Sequence, residues 1–108
     1  MVRIEGKKII MDKGDYGLPV PFRFVKNNGQ VLNTDKIVFK VKTGDEEVLV
    51  KEYTDLQQDQ NGNLVFVFEL TKDESQKLDK DIYVYEIEVY RGDYLLSTFV
   101  NNEIIELI

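Results

Sequence analysis

The chain has 108 residues, no cysteine, no histidine and a net charge of −6. That length fits one domain, residues 1–108, with enough buried surface for a core without covalent staples. The missing cysteines exclude a disulfide framework and a thiolate metal site. The missing histidines remove the usual general base and the commonest metal ligand. Acidic residues outnumber basic ones 20 to 14, and the basic ones are not clustered. A phosphate backbone selects the opposite balance, so a nucleic-acid partner is not expected.

In chain order, the first residues through Lys8 lack the apolar stretch of a signal peptide, and no later run is long enough to cross a bilayer. Synthesis in the cytoplasm and no membrane partner are therefore expected. Val2 to Glu5 and Lys8 to Met11 read as short strands around Gly6. Asp12 to Asp15 reads as a turn. Leu18, Val20, Phe22 and Phe24 then alternate with Pro19, Pro21 and Arg23. Proline donates nothing to a sheet ladder, which puts the start of this strand at an edge. Asn28-Gly29 signals a turn. Ile37, Phe39 and Val41 form the inward set of the next strand, with Lys40 and Lys42 outward. Val48 to Tyr53 is a further strand with no assignable inward face. Asp55 to Asn63 reads as a polar loop. Leu64, Phe66, Phe68 and Leu70 alternate cleanly.

Thr71-Lys72-Asp73-Glu74 has the form of a helix capping box. Turn material at Asp79 to Asp81 keeps that helix short. Tyr83, Tyr85, Ile87 and Val89 then share one face of a long strand, opposite Glu86 and Glu88. The spacing from Asp79 to Tyr85 resembles the tyrosine corner of immunoglobulin-like sandwiches. Thr71, Glu74, Leu78, Asp79 and Tyr83 are thus a candidate structural corner, with the Tyr83 hydroxyl bonding back near Leu78 or Asp79. Arg91-Gly92-Asp93 turns the chain into Tyr94 to Val100. Asn101-Asn102 reads as a break, and Glu103 to Ile108 as a final strand. About eight strands with regular turn signals predict an all-β, immunoglobulin-like antiparallel β-sandwich with one short helix at its E–F-type corner.

If the alternating sets face inward, Val38, Val65, Val67, Ile82 and Val84 face outward. Outward apolar residues are candidate protein contacts, in two small patches if the strands bearing Val65 and Val84 lie on different sheets. β-branched residues also stand there for strand propensity alone.

Other chemistry is weakly signalled. Asp59 to Asn63 misses the EF-hand spacing, because Leu70 stands where a bidentate glutamate is needed; a turn at Asn61-Gly62 is favoured over a surface calcium site through Asp55 and Asp59. Arg91-Gly92-Asp93 matches the integrin-binding tripeptide, but polar residues around a glycine are also what any short hairpin needs. Tyr90 and Tyr94 could form a sugar platform, or a cross-strand pair closing the hairpin. Ser75 and Ser97 have no evident activating base. No catalytic residue, cofactor site or metal site is expected, and the chain reads as a non-enzyme.

Several segments together resemble a phage family, the small immunoglobulin-like domain at the N-terminus of baseplate upper proteins. They are Lys13-Gly14-Asp15 before the apolar strand, Val38-Phe39-Lys40-Val41, Leu70-Thr71 with Glu74 and Leu78, and Asp81 to Val89. The final hairpin, Tyr94 to Val100 and Glu103 to Leu107, is similar as well. Asp81 stands where that family usually has glycine. The resemblance implies a phage or prophage tail or baseplate structural module, acting by protein–protein assembly. It would bind other tail proteins or itself, as a homo-oligomer, and would reside in the virion. The competing expectation is a glycan-binding or adhesin-like module for a host surface.

Overall fold

The computed structural model describes residues 2–108. Its strands are β1 (Val2–Glu5), β2 (Lys8–Met11), β3 (Val20–Phe24), β4 (Lys36–Thr43), β5 (Glu46–Tyr53), β6 (Gln57–Gln58), β7 (Leu64–Phe68), β8 (Ile82–Arg91) and β9 (Tyr94–Leu107). One short helix, α1 (Lys72–Gln76), lies between β7 and β8. The larger sheet has the order β1-β2-β9-β8-β4-β5, and the smaller one β3-β7-β6. With β3, β4, β6, β7, β8 and β9 taken as strands B, C, D, E, F and G, this is the immunoglobulin-like order, B-E-D facing C-F-G. The helix sits at the E–F corner, where the capping box places it.

The sandwich is not wholly antiparallel. β2 pairs β9 in parallel, Ile9 opposite Ile105 and Met11 opposite Leu107. The chain reverses at Gly6, whose φ of 63° is open to glycine. β2 then lies along β9 before crossing to the other sheet at β3. Two further departures concern continuity. The polar segment after Asp55 contains β6, two residues paired with β7 at Leu64 and Val65. Asn101 and Asn102 do not break the last strand: β9 runs through them with a one-residue register shift against β8. Asn102 takes φ 53°, a left-handed conformation that asparagine tolerates, so the pair forms a bulge.

Two-residue alternation builds the core. Phe39 of β4 stacks on Phe68 of the facing sheet with ring centroids 4.0 Å apart, and on Tyr85 at 5.2 Å. Phe22 stacks on Phe66 at 5.1 Å. Each fully buried aromatic contributes roughly 2–3 kcal/mol of transfer free energy, so this inter-sheet stack is the main cohesive element. The inward face of β5, unassignable from sequence, is Leu49, Lys51 and Tyr53, opposite Val41, Phe39 and Ile37. Lys51 obscured the alternation. Its ammonium reaches Glu74 Oε1 at 2.8 Å and the Glu69 carbonyl, at the open edge between the sheets. An inward charge on an edge strand also discourages pairing with another chain.

Candidate interaction surfaces

The corner comes first, because it fixes β7 against β8. Thr71 Oγ1 accepts from the Glu74 N–H at 3.2 Å, and Glu74 Oε1 accepts from the Thr71 N–H at 2.9 Å. Burial pushes the Glu74 carboxyl up, but Lys51 and the Thr71 N–H outweigh it and leave the group below its usual range. Leu78 and Tyr83 are buried. The Tyr83 hydroxyl accepts from the Lys80 N–H at 3.1 Å and donates to Asp79 Oδ1 at 3.3 Å. The bond back to the corner therefore uses the Asp79 side chain and the next backbone amide. All five candidate corner residues meet here.

The outward residues divide as the two sheets divide. On the small sheet, Val65 pairs Arg23 and Val67 pairs Pro21, leaving Val67 exposed beside a proline and Val65 half-buried. On the large sheet, Val84 lies opposite Ile104, and Ile82 opposite Glu106. Ile82 is 50% exposed and Ile104 39%. Ile104 enters this patch only through the β8–β9 register, which its sequence position does not reveal.

Val38 is not a contact residue. It points outward yet is only 6% exposed. Its cross-strand partners are Glu52 and Glu88, and Lys36 and Lys40 flank it on β4. Long charged side chains lay their stems over such a position and keep their heads in water. Here the heads are also paired: Lys40 with Glu88 at 2.8 Å and Glu47 at 3.4 Å, and Lys42 with Glu86 at 2.8 Å. The hydrogen bond to Glu88 raises the Lys40 pKa. The β5–β4–β8 part of this face is thus an ion-paired lattice, and the apolar patch begins at Val84.

At the other end of the sandwich, Asp35 joins the β3–β4 loop to the β8–β9 turn. It is 2% exposed. Arg91 donates to it through Nε and Nη2, each at 2.9 Å, and the Leu32 N–H adds a bond at 2.8 Å. The Arg91 guanidinium holds the Asp35 carboxyl below its ordinary value against the opposing effect of burial. Arg91 Nη2 also donates to the Gln30 carbonyl at 3.1 Å. The arginine of the Arg-Gly-Asp tripeptide is thereby committed to the fold. Nothing local in sequence links Asp35 to Arg91; the one available signal was an aspartate three residues after Leu32, a spacing that captures a loop N–H.

Tyr90 and Tyr94 form neither a platform nor a cross-strand pair. The two-residue turn at Gly92-Asp93 puts Arg91 opposite Tyr94 and Tyr90 opposite Leu95. Tyr94 stands alone at 68% exposure. Asp59 is likewise engaged: Oδ1 accepts from the Asn61 and Asn63 N–H groups at 2.9 and 3.0 Å, and Oδ2 lies 3.3 Å from Arg23. Among the described residues no cluster of three or more acidic side chains is arranged to hold a metal ion. Also among them, no helix is long and apolar enough to cross a membrane.

Comparison with known proteins returns no matching family model, curated protein or solved structure.

Proposed function

We propose that this domain is a structural module of a phage or prophage tail or baseplate, acting by protein–protein assembly and carrying no catalysis. The observation that carries the assembly half is the Ile82–Val84–Ile104 patch. It interrupts a sheet face whose other half is tiled with ion pairs, and contiguous outward apolar residues mark contacts. The smaller Pro21–Val67 patch on the opposite face supplies a second surface. The tail assignment rests on the resemblance of Leu70 to Val89 and the segments around it. The partner is another tail protein or a second copy.

Light scattering over a concentration series tests the self-association half. The wild type is expected to gain mass with concentration, and a Val65→Lys/Val84→Lys variant to stay monomeric. A wild type that stays monomeric up to about 1 mM, where association would be worth only about 4 kcal/mol, removes self-association and leaves docking on a different tail protein.

A further inference from the structure

An open cleft of about 950 Å³ lies between the β3–β4 loop and the segment from Leu56 to Leu64. Its floor is apolar: Phe24, Val31, Leu56 and Leu64, all buried. Its rim is made of amides, two glycines, the exposed Leu32 and one cation, Lys26. No carboxylate lines it, in a chain with 20 acidic residues among 108.

The amides fall into two groups. Three serve the fold. Asn27 exchanges two hydrogen bonds with the Val31 backbone, at 2.7 and 2.8 Å. Gln57 donates to the Asp55 carbonyl at 3.1 Å. Asn63 is held through its backbone, whose N–H donates to Asp59 Oδ1 at 3.0 Å. Asn28, Asn33 and Gln58 are exposed and, like Lys26, make no side-chain hydrogen bond among the described residues.

The walls are fixed without a ligand. The Leu56 N–H donates to the Asn33 carbonyl at 3.0 Å and joins the two loops. Asp35 and Arg91 brace the β3–β4 loop from behind. Among the described residues, four non-glycine positions have left-handed backbone, Lys26, Asn28, Asp55 and Asn102. Two of these line the cleft, and Asp55 immediately precedes it. Asparagine and aspartate adopt this conformation readily, so of the three it is Lys26 whose surroundings must enforce it.

We infer that this cleft binds a neutral oligosaccharide. Each free amide presents a donor and an acceptor together, the pattern that adjacent sugar hydroxyls present in return. Leu32, 44% exposed, is the apolar side chain of the lining that is open to the C–H face of a ring. A net charge of −6 disfavours an acidic polymer, and the acid-free lining spares a neutral one any desolvated carboxylate. The volume lies within the range of small-ligand sites. This reading goes beyond assembly; it leaves the large-sheet patch untouched and meets the small-sheet face only at Gln57, opposite Val65.

A printed array of neutral and sialylated oligosaccharides tests it, followed by a 15N–1H titration with the strongest neutral hit. Shifts are expected in residues 26–33 and 56–63. Asn33→Ala/Gln58→Ala should weaken binding at least about tenfold, the loss of two or so hydrogen bonds. Its own spectrum reports whether it is folded. Tyr94→Ala, on the other hairpin, should leave binding unchanged, and 0.5 M NaCl should change it less than about twofold. The inference is overturned by binding to sialylated glycans alone, by no neutral hit, by shifts mapping to another face, or by affinity that falls with Tyr94→Ala and not with the amide variant. An uncharged extended peptide, acetyl-Ser-Ala-Thr-Ala-Ser-amide, that shifts the cleft where no glycan does would overturn it as well.

Discussion

Two tyrosines use their hydroxyls in opposite ways. Tyr83 has two partners at the corner. The Tyr53 hydroxyl is buried with no hydrogen-bond partner among the described residues. Burial pushes it up to about 12, opposed only in part by the nearby Glu69 backbone, which does not reach hydrogen-bonding geometry. Tyr83→Phe should therefore cost about 1 kcal/mol, while Tyr53→Phe should be neutral or slightly stabilising, as urea midpoints will show. Equal effects would contradict this assignment. Asp35 sets a pH dependence. Its folded-state pKa is depressed, so its contribution is present above the unfolded value of about 3.9 and is lost as pH falls through the folded one. The urea midpoint should hold from about pH 7 to 5 and drop below about pH 4. In Asp35→Asn the acid slope should flatten. The Tyr83 side of this chemistry was legible, since its partner lies four residues away. The Asp35–Arg91 pair spans 56 residues and depends on how two loops meet.

At the scale of elements, α1 is five residues long and too short to stand on propensity. The capping box and the Lys51–Glu74 bond hold it. Thr71→Ala should cost about 1 kcal/mol in chemical unfolding; no change would mean that packing of Leu78 alone fixes the corner. The box, the short helix and the alternation of β7 and β8 could be read directly, because period and capping are local signals. β9 could not. Three register shifts against β8 lie along it, and each moves every later partner by one residue. For that reason the turn register alone puts Val84 opposite Asn101 and not Ile104, whereas Tyr90 and Tyr94 are offset by the two-residue turn itself. Val38 failed for a different reason: alternation gives the direction of a side chain but not what covers it. The cleft between the loops was invisible because asparagine and glutamine in a loop read as turn material, whatever they face.

For the molecule as a whole, the two apolar patches lie on opposite outer faces. This arrangement suits a building block that meets neighbours on both sides, isologously through one patch or head-to-tail through two. The ion-paired half of the large sheet and the net charge of −6 oppose indiscriminate stacking, which is why the proposed contacts fall on the patches. The most direct measurement is a 15N–1H spectrum of the wild type diluted from about 1 mM to about 20 µM. Concentration-dependent shifts and broadening are expected at residues 82–84, 104 and 65–67, and not at 36–42. Changes centred on the ion-paired strands, or spectra that superimpose throughout while binding to purified tail proteins is also absent, would contradict assembly through these faces.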